Sequence, residues 1–124
     1  MFCHVLLSGG IYALLTIARA PSVWNVRVSK TLRECLAEIE PRISANLSNQ
    51  FEWPVFFHVV CLLLILTQDT VERIQVVLAW TFIAGRICHS ALQILTPNIR
   101  ARGLVFTINF LAVIAMWIRL MFEI

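Results

Sequence analysis

Arg42, Asn46, Asn49 and Glu52 follow one another at steps of three and four residues, and Arg86, His89, Ser90 and Gln93 repeat the pattern farther along the chain. Residues at that spacing share one face of a helix. Two faces carrying cations, amides, a carboxylate and an imidazole can tie helices together, or they can hold a charged ligand. Arg100 and Arg102 add cations, and Asn109 a further amide, near the end of the chain. No nucleophile–base triad, HExxH metal motif or phosphate loop accompanies them. Cys3, Cys35, Cys61 and Cys88 show no CxxC and no ligand-like spacing, so neither a disulfide scaffold nor a metal site is expected. They read as small lipid-compatible residues.

The elements that must position these groups follow from composition. The chain has 124 residues, room for one domain over 1–124. Its apolar fraction is 60% and its charged fraction 14%, against about 45–50% and about 25% in soluble domains, and its mean hydropathy is +0.83. Such a chain cannot make a water-facing surface. A soluble enzyme domain and a disordered regulator are excluded, and a net charge of +3 scattered among apolar runs is too small for a nucleic-acid binder.

What remains is an all-α membrane protein. A bilayer core of about 30 Å needs about 20 apolar residues per helix, and four stretches qualify, roughly 2–17, 44–66, 74–95 and 104–122. The small residues around Arg19 resemble a signal-peptide cleavage site, but the start has no basic n-region, so the first stretch is read as a span. Residues 19–42 form the long polar loop. Thr31-x-x-Glu34 fits a capping box, and Leu32, Cys35, Leu36 and Ile39 follow at helical spacing, which predicts an amphipathic helix on the membrane surface. Pro41 then suits the first turn of the second span. Short connections over 67–73 and 96–103 force antiparallel neighbours, giving an up-down-up-down bundle. The first and third loops carry Arg19, Arg27, Lys30, Arg33, Arg42, Arg100 and Arg102, whereas the other side has Arg73 and Arg119. This bias places those loops in the cytoplasm and both termini across the membrane.

Ionisable groups inside a bilayer cost at least about 2.5–3.5 kcal/mol each and face partners in the bundle. Glu52 lies roughly 15 Å along the second span and Arg86 about as deep along the third, so an ion pair between them is expected. Asn49 and His89 are expected as hydrogen bonders between helices, and His58 as a buried hydrogen bonder with no obvious partner. At the rim, Arg42, Arg100 and Arg102, with Gln93 between levels, either anchor to anionic lipid or line an anion pocket.

Asn49-Gln50-Phe51-Glu52-Trp53-Pro54-Val55-Phe56-Phe57 resembles the second-helix signature of the MAPEG family, membrane-associated proteins in eicosanoid and glutathione metabolism. Trp80-Thr81-Phe82 followed by Gly85-Arg86-Ile87-Cys88-His89-Ser90 resembles its third helix, and the pair Arg100 and Arg102 before an apolar helix with Trp117 completes the pattern. The similarity is greatest to bacterial members and so implies the bacterial inner membrane. It implies a four-helix protomer in a homotrimer, with glutathione as co-substrate bound between subunits. Asn49 and Glu52 would belong to the glutathione-contacting helix, with Arg42, Arg86, His89 and Gln93 as further binding positions. Arg102, or Arg100, would be the catalytic arginine that stabilises the thiolate, since a cation beside a thiol lowers its pKa. The chain departs from the family at Ala45, where an arginine is usual, and at Gln93 and Phe106, where tyrosines are usual; Tyr12 is its one tyrosine.

Three functions are compatible with these residues. The first is a glutathione transferase or peroxidase acting on lipophilic electrophiles in the membrane. The second is a non-catalytic protein of the same fold that binds a lipid or small anion between subunits. The third is a small proton-coupled drug transporter, which a Glu52 neutralised by Arg86 disfavours, as does the absence of the internal repeat many transporters carry.

Overall fold

The structure is a computed structural model that describes residues 1–68 and 70–123. Of the expected connection over 67–73, Asp69 lies outside the described residues, as does Ile124. The described residues form five helices, α1 (Phe2–Val23), α2 (Lys30–Asn49), α3 (Pro54–Thr67), α4 (Arg73–Leu95) and α5 (Ile99–Glu123). With α2 and α3 taken together, four helical segments are long and apolar enough to cross a membrane. The expected four-helix order stands, but the last helix begins at Ile99, inside the connection expected over 96–103, and three further boundaries move.

The first helix runs on to Val23 instead of ending near Ile17. Its extension is held by packing against α2: Ala18 joins a small core with Ile11, Leu15 and Ile43. Arg19 Nε donates to Glu40 at 2.7 Å, and its Nη2 to Ser44 Oγ at 3.3 Å. Asn25, at φ 53°, turns the chain out of α1, a left-handed conformation that asparagine tolerates better than most residues.

The cap of α2 is Ser29, whose hydroxyl accepts from Leu32 N at 3.3 Å. The expected capping box at Thr31 is therefore displaced, because Thr31 already lies inside the helix. Nor is there a separate surface helix. The amphipathic stretch continues through Pro41 to Asn49 as one helix packed on α1. Pro41 removes one backbone donor, and packing at the fully buried Ile43 carries the helix past it.

The break comes instead inside the expected second span. Residues 50–53 form a turn, with Val55 N bonding to Glu52 O and Phe56 N to Trp53 O in three-residue steps. Pro54 then opens α3, where its missing N–H costs nothing. A proline at 54 has no N–H for the carbonyl at 50, and its ring crowds that carbonyl; here the helix breaks, whereas α1 and α2 run on through Pro21 and Pro41.

Two apolar cores result. One joins α1 and α2; the other joins α3, α4 and α5 through Phe57, Val60, Phe82, Val113 and Met116. Between them lies a layer of buried polar side chains. Outside, large apolar residues such as Leu66, Met121 and Phe122 stand exposed, a surface suited to hydrocarbon and unsuited to water.

Candidate functional site

The buried polar layer is organised around Gln50, the last residue before the turn. Its side chain is satisfied at every position. Arg86 Nε donates to Gln50 Oε1 at 3.3 Å, and His4 Nε2 lies 3.0 Å from the same oxygen. Gln50 Nε2 donates to Asn46 Oδ1 and to Ser90 Oγ, each at 3.0 Å. Arginine can only donate, so it decides which end of the amide is oxygen. His4 must then donate through Nε2, and its Nδ1, in the neutral ring, accepts from His58 Nε2 at 3.1 Å. The network continues at the other side, where Asn46 Nδ2 and Asn49 Nδ2 donate to Gln93 Oε1 at 2.9 and 3.1 Å. Four helices thus meet through hydrogen bonds in one layer.

Arg86 is completely buried in α4. Its Nη2 donates to the main-chain carbonyl of Asn49 at 2.8 Å, an acceptor made available where the helical ladder stops. The expected ion pair with Glu52 is not formed. Glu52 is exposed, and it acts on Arg86 by charge at longer range without contact. The expectation assumed a continuous helix, in which 42, 46, 49 and 52 share a face. The buried face of α2 is instead the one that carries Ile43, Asn46 and Gln50, at three- and four-residue steps, and Glu52 does not share it.

The other expected residues separate into two groups. Asn49, Arg86 and Gln93 come together in the layer, His58 finds its partner in His4, and His89, buried on the same face of α4, does not make the expected hydrogen bond between helices, its Nδ1 being left without a partner. Arg42 lies a turn beyond Asn46 and pairs with Glu38 at 3.7 Å on the half-exposed surface of α2. Arg100 and Arg102 lie in the first turn of α5, Arg100 exposed and Arg102 partly buried. Arg102, Phe106 and Asn109 share a face by their spacing. That face meets α4: the rings of Phe106 and His89 lie 6.1 Å apart. Arg102 therefore belongs to the site more directly than Arg100.

Three buried side chains at this α4–α5 junction carry four atoms without a protein partner: Arg86 Nη1, His89 Nδ1 and both amide atoms of Asn109. Asn109 is packed directly on Gly85, where an added Cβ would lie 1.7 Å from its Oδ1. Leaving a buried polar atom unpaired costs about 1–3 kcal/mol. A cluster of them beside a cationic rim suits a polar, anionic ligand.

Sequence reasoning missed His4 and the central role of Gln50. The signal was there, since His4 is a polar residue in an apolar stretch and Gln50 follows Asn46 by four residues on one helical face, but which groups each meets depends on how the helices pack. A model of the MAPEG family matches residues 3–122 of the chain. No curated protein and no solved structure matches it.

Proposed function

Since the chain belongs to the MAPEG family, and is on that basis and its four long apolar helices a multi-pass integral membrane protein, we propose that it binds glutathione beside the buried polar layer and uses it against lipophilic electrophiles dissolved in the membrane. The observation that carries this reading is the set of unpartnered atoms on Arg86, His89 and Asn109, with Arg102 on the same face of α5 as Asn109. An anionic peptide with two carboxylates suits cationic and amide donors of this kind.

Glutathione supplies the thiol. Arg86 and His89 would hold its polar groups, and Asn49 and Glu52, at the family's contact positions, would orient it from the turn. Arg102 would stand by the sulfur as a cation and favour the thiolate, which is the nucleophile toward a carbon or peroxide electrophile. The basic rim orients this site to the cytoplasm, with both termini opposite. A homotrimer would close it from a neighbouring protomer.

One observation favours a second reading, a non-catalytic protein that binds a lipid or small anion at the same place. Gln93, which stands where the family carries a tyrosine, is occupied by Asn46 and Asn49, and Ala45 is exposed on α2 in place of an arginine. The two readings part on one experiment. With the protein purified in detergent, glutathione should raise thermal stability and give thiolate absorbance in the ultraviolet difference spectrum. Stabilisation without thiolate selects the non-catalytic reading, and neither signal removes the glutathione site altogether.

A further inference from the structure

A second cavity of about 250 Å³ lies between α1, α3, α4 and α5, lined among others by Cys3, Cys61, Leu64, Gln75, Trp80 and Met116. Gln75 is eleven positions before Arg86 in α4, roughly 16 Å along the helix axis. Phe57 lines the cavity and stacks on Phe82, which rests against His4. This aromatic pair marks the border with the polar layer, so the cavity is a separate place in the bundle.

Its lining side chains are uncharged, and almost all are apolar. The exception is Gln75, 1% exposed. Gln75 Nε2 donates to the main-chain carbonyl of Met116 at 3.3 Å. A carbonyl can only accept, so this bond fixes the amide with its nitrogen toward α5. Gln75 Oε1 is left buried without a partner. An unpaired acceptor in an apolar cavity selects for a donor, and the absence of a carboxylate in the lining disfavours a cationic one.

We propose that this cavity binds a membrane-soluble amphiphile through a hydroxyl group donated to Gln75 Oε1. The mouth supports such an occupant, since Ile65 and Trp80, both in the lining, are largely exposed on the apolar surface. The volume is below the ~300–1,000 Å³ of sites that enclose a whole ligand. It takes the head and first carbons of a chain while the remainder lies in hydrocarbon.

Cys61, partly buried in the lining, is the reporter, and Cys88, exposed on α4 outside the cavity, is the control. The full-length protein in lipid nanodiscs is treated with N-ethylmaleimide, alone or with 1-decanol or decyl methyl ether, and modification of each cysteine is followed by mass spectrometry. Decanol should slow modification of Cys61 at least about five-fold while leaving Cys88 unchanged; the ether should protect less than about two-fold. Gln75→Leu should reduce protection by decanol to the level of the ether. Equal protection by alcohol and ether overturns the proposal, since apolar filling alone would then explain it. So does protection by decanol that survives Gln75→Leu. Cys61 unreactive under every condition also overturns it, because the cavity would then be covered by another copy of the chain.

Discussion

Arg86 Nη2 donates to the main-chain oxygen of Asn49 across the α2–α4 interface at 2.8 Å. The acceptor is a carbonyl at the end of a helix, where the ladder stops ahead of Pro54. A buried guanidinium in a membrane-spanning helix needs acceptors. Here a backbone break and one glutamine side chain provide them, in place of a carboxylate.

Arg86→Met should therefore lower stability by about 3 kcal/mol, the range for lost hydrogen bonds to a charged group. Glu52→Gln should change it by less than about 0.5 kcal/mol, as for other exposed substitutions. Unfolding in mixed micelles measures both, and the double variant should be additive. A strong coupling between the two positions would mean that they are in contact.

Gln50 closes four hydrogen bonds, so Gln50→Leu should cost at least about 2 kcal/mol. Part of that loss comes from stranding His4. The combination with His4→Phe should fall short of the summed single effects by about 0.5–3 kcal/mol, as expected within one network. Additive losses would show that His4 and Gln50 do not act together.

At the α4–α5 contact, Gly85→Ala places a methyl group against the Asn109 amide. The cost should be about 1–3 kcal/mol, typical of overpacking. Asn109→Ala alone removes two unpartnered polar atoms and should be nearly neutral. Adding it to Gly85→Ala should restore most of the lost stability, whereas no rescue in thermal unfolding would place the clash elsewhere.

For the glutathione reading, Arg102→Ala should reduce the thiolate signal several-fold and at most about 30-fold at pH 7, where a thiol returned to its ordinary pKa of about 8.5 is still about 3% ionised. Arg100→Ala, in an exposed side chain on the same turn, should leave it within about two-fold. The ultraviolet difference spectrum with glutathione reads both. The reverse ranking would move the thiolate to Arg100.

Composition and hydropathy were enough to determine a bundle of membrane-length helices, because an apolar chain in lipid must satisfy its backbone within each helix. The spacing of the polar residues was likewise enough to place Asn49, Arg86, His89 and Gln93 in one layer, since helical periodicity is local. Which groups in that layer touch was decided by tertiary structure. Pro41 and Pro54 look alike in the sequence, yet the helix passes through the first, where Ile43 is packed against α1, and stops at the second. The buried face of α2 runs through Ile43, Asn46 and Gln50, which leaves Glu52 exposed and puts an amide, a carbonyl and a histidine from α1 where an ion pair was expected. Residue spacing groups side chains on one face of a helix, but which groups of other helices meet that face is set by packing between elements far apart in the chain.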